Sequence, residues 1–122
     1  MAIYTNLPIY KATYSLMLNV SKIIPNLPRD CRYTFAQDLR NKIMEIIILI
    51  YNANRHRDKL HLILKMRETL IEVQVYLRIM NDLHYISEKK YLIFAEETTA
   101  MSKQMSAWEN SELKKMANNS IS

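Results

Sequence analysis

The stretch Phe35–Ala53, Phe-Ala-Gln-Asp-Leu-Arg-Asn-Lys-Ile-Met-Glu-Ile-Ile-Ile-Leu-Ile-Tyr-Asn-Ala, constrains the fold of this chain more than any other. Phe35, Leu39, Ile43, Ile46, Ile50 and Ala53 recur at steps of three and four, the spacing of one buried helical stripe. Met44, Ile47, Ile48 and Tyr51 form a second apolar group well round the same helix. Only a narrow polar strip of Asp38, Asn41, Lys42, Glu45 and Asn52 remains. A helix in a small monomeric bundle needs one apolar face, so two predict a further burial partner, a second copy or another chain.

The rest of the chain repeats the helical period. Ile9, Thr13, Leu16, Val20 and Ile23 mark a first helix, widened by Tyr10, Tyr14, Met17 and Leu18. Asn6 is its expected cap, Pro8 fits its first turn, and Pro25 ends it. Thr34 with Gln37 reads as a capping box for the second helix. That helix should close near Asn52–Asn54, with Asn in the left-handed position that glycine usually takes. Asp58 is the expected cap of a third helix carrying Ile63, Met66, Leu70, Val73, Leu77, Met80 and His84, with a second apolar line of Val75, Ile79, Leu83 and Ile86. Ser87 and Glu88 open a fourth helix with Tyr91, Phe94, Thr98, Met101, Met105 and Trp108. The expectation is a single all-α domain over residues 1–122, an antiparallel up-down-up-down four-helix bundle assembled into a homo-oligomer. Its ordered core should span about residues 7–110, with the C-terminal tail frayed.

Glycine is absent from all 122 residues. That excludes the usual Gly-rich phosphate loop, dinucleotide fingerprint and nucleophile elbow. Catalytic readings fail on spacing as well. Glu-x-x-His pairs are missing, and Asp58-x-x-His61 stands alone and reads as a cap beside a basic turn. His84 continues a core stripe, and the eight Met residues read as core filler. Cys31 lies in a loop between Asp30 and Arg32, where Arg would lower its pKa, but no histidine partner is evident. No catalytic residue, metal or cofactor is expected. A lone cysteine, no span-length apolar run and no signal peptide make a soluble cytoplasmic protein the expectation, with no membrane partner.

Charge is unevenly placed. Residues 1–67 hold eleven Lys/Arg against four Asp/Glu, a net +7, whereas residues 68–122 hold six against eight. The basic half points to an anionic partner such as nucleic acid, whose phosphates need only clustered cations. The candidate contacts are Arg29 and Arg32 in the first loop, Arg40 on the second helix, Arg55, Arg57 and Lys59 in the second turn, and Arg67 and Arg78 on the third helix. A solvated basic surface with local ion pairs such as Arg78–Asp82 is the alternative reading.

Several ordered segments add a resemblance. Ile9-Tyr10-Lys11-Ala12-Thr13-Tyr14, Ile24-Pro25-Asn26-Leu27-Pro28-Arg29, Arg32-Tyr33-Thr34 and Ile50-Tyr51-Asn52-Ala53-Asn54 come first. Val75-Tyr76-Leu77-Arg78-Ile79, the run Asp82–Tyr91 and Trp108 follow. Together they resemble the bacterial four-helix-bundle family of the diversity-generating retroelement accessory variability determinant and the proteins encoded in ribosomal RNA intervening sequences. The Lys11–Tyr14 and Arg32–Thr34 pieces are closer to the accessory determinant branch. This chain departs from many relatives in carrying Ala36 early in the second helix and Ser106-Ala107 before Trp108, where those carry Gly.

The resemblance implies a homopentamer with a basic surface that binds a reverse transcriptase and RNA or DNA, supporting mutagenic copying of template RNA without catalysis of its own. Tyr14, Met44, Ile48, Tyr51, Val75 and Ile79 are the candidate subunit interface. A ribosomal RNA-binding role, or a purely structural oligomer, stands as the alternative.

Overall fold

The computed structural model describes residues 3–121. A short 3-10 turn, Tyr4–Asn6, precedes α1 (Pro8–Ile23); a second 3-10 turn, Ile24–Asn26, leads to the four-residue α2 (Arg29–Arg32). The three remaining helices are α3 (Phe35–Arg55), α4 (Leu60–Asp82) and α5 (Glu88–Ile121). Helix α3 packs on α1 and α4, and α5 closes the ring against α4 and α1. The four long helices therefore form the expected up-down-up-down bundle, and no strand occurs among the described residues.

The core follows the stripes. Leu16, Val20, Leu39, Ile43, Ile46, Ile50, Ile63, Met66, Leu77, Met80, Phe94, Met101 and Met105 are fully or almost fully buried. Each such aliphatic side chain contributes roughly 1.5–3 kcal/mol relative to exposure. The buried hydroxyls of Thr13, Thr69 and Thr98 donate to the carbonyls of Ile9, Lys65 and Ala95 on their own helices, so none is left unpaired. Seams between helices are polar. Lys42 Nζ on α3 lies 2.9 Å from Glu72 Oε2 on α4 and 3.6 Å from Glu45. The hydrogen bond to Glu72 holds the Lys42 ammonium above its usual pKa, and in return holds Glu72 below its own. Glu72 therefore contributes stability present above its unfolded value of 4.5 and lost as pH falls through the folded one. Lys42 contributes stability present below 10.5 and lost as pH rises through its folded value.

Helix ends depart from the sequence reading. The α1 N-cap is Leu7 rather than Asn6, because Tyr4–Asn6 coil into a 3-10 turn and carry Asn6 one position too early. Thr34 precedes α3 without a capping box: its hydroxyl donates back to the Asp30 carbonyl, supplied by the turn of α2. Lys59, not Asp58, sits at the start of α4, its carbonyl accepting from the Leu62 and Ile63 N–H groups. Ser87 does cap α5, its Oγ accepting from the Lys90 N–H at 3.1 Å. The left-handed residue is not at Asn52–Asn54, where α3 runs on to Arg55. It is His84, with φ 62°. Tyr85 N–H donates to Met80 O at 2.8 Å and His84 N–H to Asn81 O at 3.0 Å, a Schellman closure of α4. His84 is thus an exposed cap and not a member of the core stripe.

One further expectation is corrected. Cys31 is buried on α2 instead of lying in an open loop, and burial raises its pKa, opposed only in part by the Ala36 backbone hydrogen bond. Helix α5 runs past residue 110 to Ile121, because no Gly or Pro interrupts a run rich in Glu, Leu, Lys, Met and Ala. At 34 residues α5 is about 51 Å long against about 35 Å for the 23 residues of α4, so its C-terminal turns overhang the bundle.

Candidate nucleic-acid interface

The eight candidate cations divide by position and by pairing. Arg29, Arg32 and Arg40 gather where α1 hands over to α3, whereas Arg55, Arg57 and Lys59 surround the α3–α4 turn at the opposite end. Arg40 and Arg55 are fifteen residues apart on one helix, about 22 Å. Among the described residues none of these six joins an ion pair. Arg67 and Arg78 do: Arg67 Nη1 lies 2.6 Å from Glu109 Oε1, and Arg78 Nε lies 3.6 Å from Asp82 Oδ2. The Arg78 pair is well exposed and contributes little, but the Arg67 pair spans α4 and α5 beside a carboxylate only 19% exposed. Arg67 therefore belongs to the scaffold more than to the basic surface.

The turn cations rest on aromatic rings. The Arg55 guanidinium lies 5.2 Å from the Tyr51 ring centroid and donates to its hydroxyl at 3.3 Å; Lys59 Nζ lies 5.9 Å from the Trp108 centroid. Arg57 and Lys59 face an open cleft shared with the C-terminal turns of α5. At the other end, Arg32 and Arg40 line an open cleft with Gln37 and Asn41, walled by Met17, Ile24, Pro25 and Met44. Tyr33 stands at its mouth, 68% exposed, with the Arg29 guanidinium 6.0 Å from its ring centroid. The Arg32 Nε–H is buried without a hydrogen-bond partner. Tyr33, Gln37 and Asn41 escape a sequence reading based on charge. The signal for them is their mutual spacing at steps of four, Tyr33, Gln37 and Asn41, and an aromatic directly after Arg32.

The candidate interface residues form two strips, not one. Tyr14 on α1 connects through ring contacts with Tyr10 and Tyr4 to Tyr51 on α3, and Met44 and Ile48 extend this face. Val75 is exposed on α4 and Ile79 half-buried, across the Lys42–Glu72 seam from that face. The second apolar line of the third helix dissolves too, since Leu83 is exposed and Ile86 buried from the turn.

Among the described residues no group of three His, Cys, Asp or Glu is placed to hold a metal ion; Asp58 and His61 lie at the opposite end of α4 from His84. No described helix is long and apolar enough to cross a membrane. The model of the bAvd-like family matches residues 7–112, most of the chain. No curated protein matches. The chain belongs to the bAvd-like family, that of the bacterial accessory variability determinant.

Proposed function

We propose that this bAvd-like chain is a non-catalytic, nucleic-acid-binding accessory protein of a diversity-generating retroelement, partnering a reverse transcriptase in the mutagenic copying of template RNA. Family membership supports the accessory role. The observation that carries the nucleic-acid part is the six cations without ion pairs, gathered at the two ends of the bundle. Cations already engaged by carboxylates attract phosphate weakly, and these six keep their full charge for it. In this reading the polymerase performs the chemistry and the bundle holds template or product. Assembly into a homopentamer would repeat both basic ends around a ring. The exposed Tyr14, Met44, Ile48 and Tyr51 favour such an assembly, since a monomer would leave them in water.

A salt titration of a labelled single strand and a hairpin tests the reading, comparing wild type with the combined change of Arg55, Arg57 and Lys59 to Ala. Wild type should bind both at low salt, with affinity falling steeply as salt rises. The triple variant should bind more weakly, with a slope of log K against log salt flatter by about 2. Unchanged affinity would assign binding to the Arg29, Arg32 and Arg40 end. Absence of wild-type binding would leave a structural oligomer. Co-purification with a reverse transcriptase encoded beside the gene tests the partnership, and its failure, with RNA binding intact, would favour the ribosomal RNA role.

A further inference from the structure

We infer that the cleft between α1 and α3 is a pocket for one unpaired nucleotide of a single strand, an inference that rests on the nucleic-acid reading above. The two basic ends differ in kind. The turn cations Arg55, Arg57 and Lys59 offer charge, suited to any phosphate backbone. The cleft combines three features, two of which a bare phosphate does not need. Its cations are Arg32 and Arg40, and the Arg32 Nε–H is buried with no partner in the protein, so an acceptor entering the cleft would satisfy it. Its polar wall is Gln37 and Asn41, whose amides match the paired donors and acceptors of a base edge. At its mouth Tyr33 keeps 68% of its surface in water, with Arg29 lying over the ring and extending a flat surface for stacking.

A duplex hides both the base edge and the base face that Gln37, Asn41 and Tyr33 would engage, so the cleft selects an unpaired strand. Met44 belongs both to this wall and to the exposed apolar face of α3, which places the cleft at the rim of that face.

The test measures binding of the full-length protein to a fluorescent 12-nucleotide single strand, to a blunt duplex of the same sequence and to a free nucleoside monophosphate. Tyr33→Leu is the main variant, because so exposed a side chain is replaced without disturbing the core. Arg40→Gln is the second, and circular dichroism verifies that both fold. Tyr33→Leu should weaken single-strand binding about tenfold, the scale of one base–aromatic stack, and leave duplex binding within twofold. Arg40→Gln, which also removes a phosphate-attracting charge, should weaken both but the single strand several-fold more. Equal effects on strand and duplex, or no effect on either, would overturn the pocket while leaving general nucleic-acid binding in place. Failure of the wild type to bind any of the probes would instead remove the reading beneath it. Binding of the free nucleotide as tightly as the strand would overturn the assignment to a strand.

Discussion

Arg67 on α4 and Glu109 on α5 form an ion pair at 2.6 Å across a helix seam, which removes one of the two candidate cations of the third predicted helix from the basic surface. The distinction is measurable. Arg67→Ala should lower stability by about 1 kcal/mol, the charged hydrogen bond being discounted for the 38% exposure of the Arg67 side chain. Its salt slope for nucleic acid should stay at the wild-type value. Thermal melts and one salt titration check this, and a slope change as large as that of a turn cation would return Arg67 to the interface.

Ile48 is 52% exposed, so Ile48→Glu should not unfold a protomer. If α3 buries its outer face against another copy, the same change leaves a carboxylate in that interface and abolishes assembly at a cost of about 3–5 kcal/mol. Light scattering with circular dichroism should therefore report a smaller species of unchanged helix content. Ile43→Glu, in the fully buried stripe, should lose helix content instead. A wild type that scatters as a monomer at every concentration would refute the assembly.

His84→Gly should stabilise the protein. His84 holds φ 62°, a region in which a Cβ costs about 1 kcal/mol and glycine costs almost nothing sterically. The gain should be about 0.5–1 kcal/mol, or a Tm higher by roughly 3 °C. His84→Val, with a branched Cβ at the same φ, should lower Tm.

Cys31 should be inert to thiol reagents in the native state at pH 8, since burial both raises its pKa and blocks access. Reaction should follow addition of denaturant. Cys31→Ser should fold but melt earlier, losing roughly 1–2 kcal/mol through a hydroxyl placed in the core. Fast native labelling would show that the segment around α2 opens.

The core was legible because burial has a local signature. Ile43, Ile46 and Ile50 declare their common face within about two turns of one helix, and Phe94, Met101 and Met105 within about three, whatever they pack against. The caps were less legible. Asn6, Thr34 and Asp58 are good capping residues by type, but each cap needs a backbone N–H at the right place. The 3-10 turn, α2 and the αR conformation of Lys59 placed those groups elsewhere.

The candidate site divides in the same way. The excess of Arg and Lys in residues 1–67 is a property of composition. Which cations stay without ion pairs depended on tertiary structure, because Glu109 reaches Arg67 from 42 residues away. The gathering of Arg32, Arg40, Gln37, Asn41 and Met17 around one cleft likewise needs α1 and α3 to lie side by side. Four helices and their buried stripes are properties of the chain's own period. The Lys42–Glu72 and Arg67–Glu109 ion pairs, the orphaned Arg32 Nε–H and the split of the apolar surface into two strips arise only when separate helices meet. Those contacts join residues whose spacing in the chain carries no information about their distance in space.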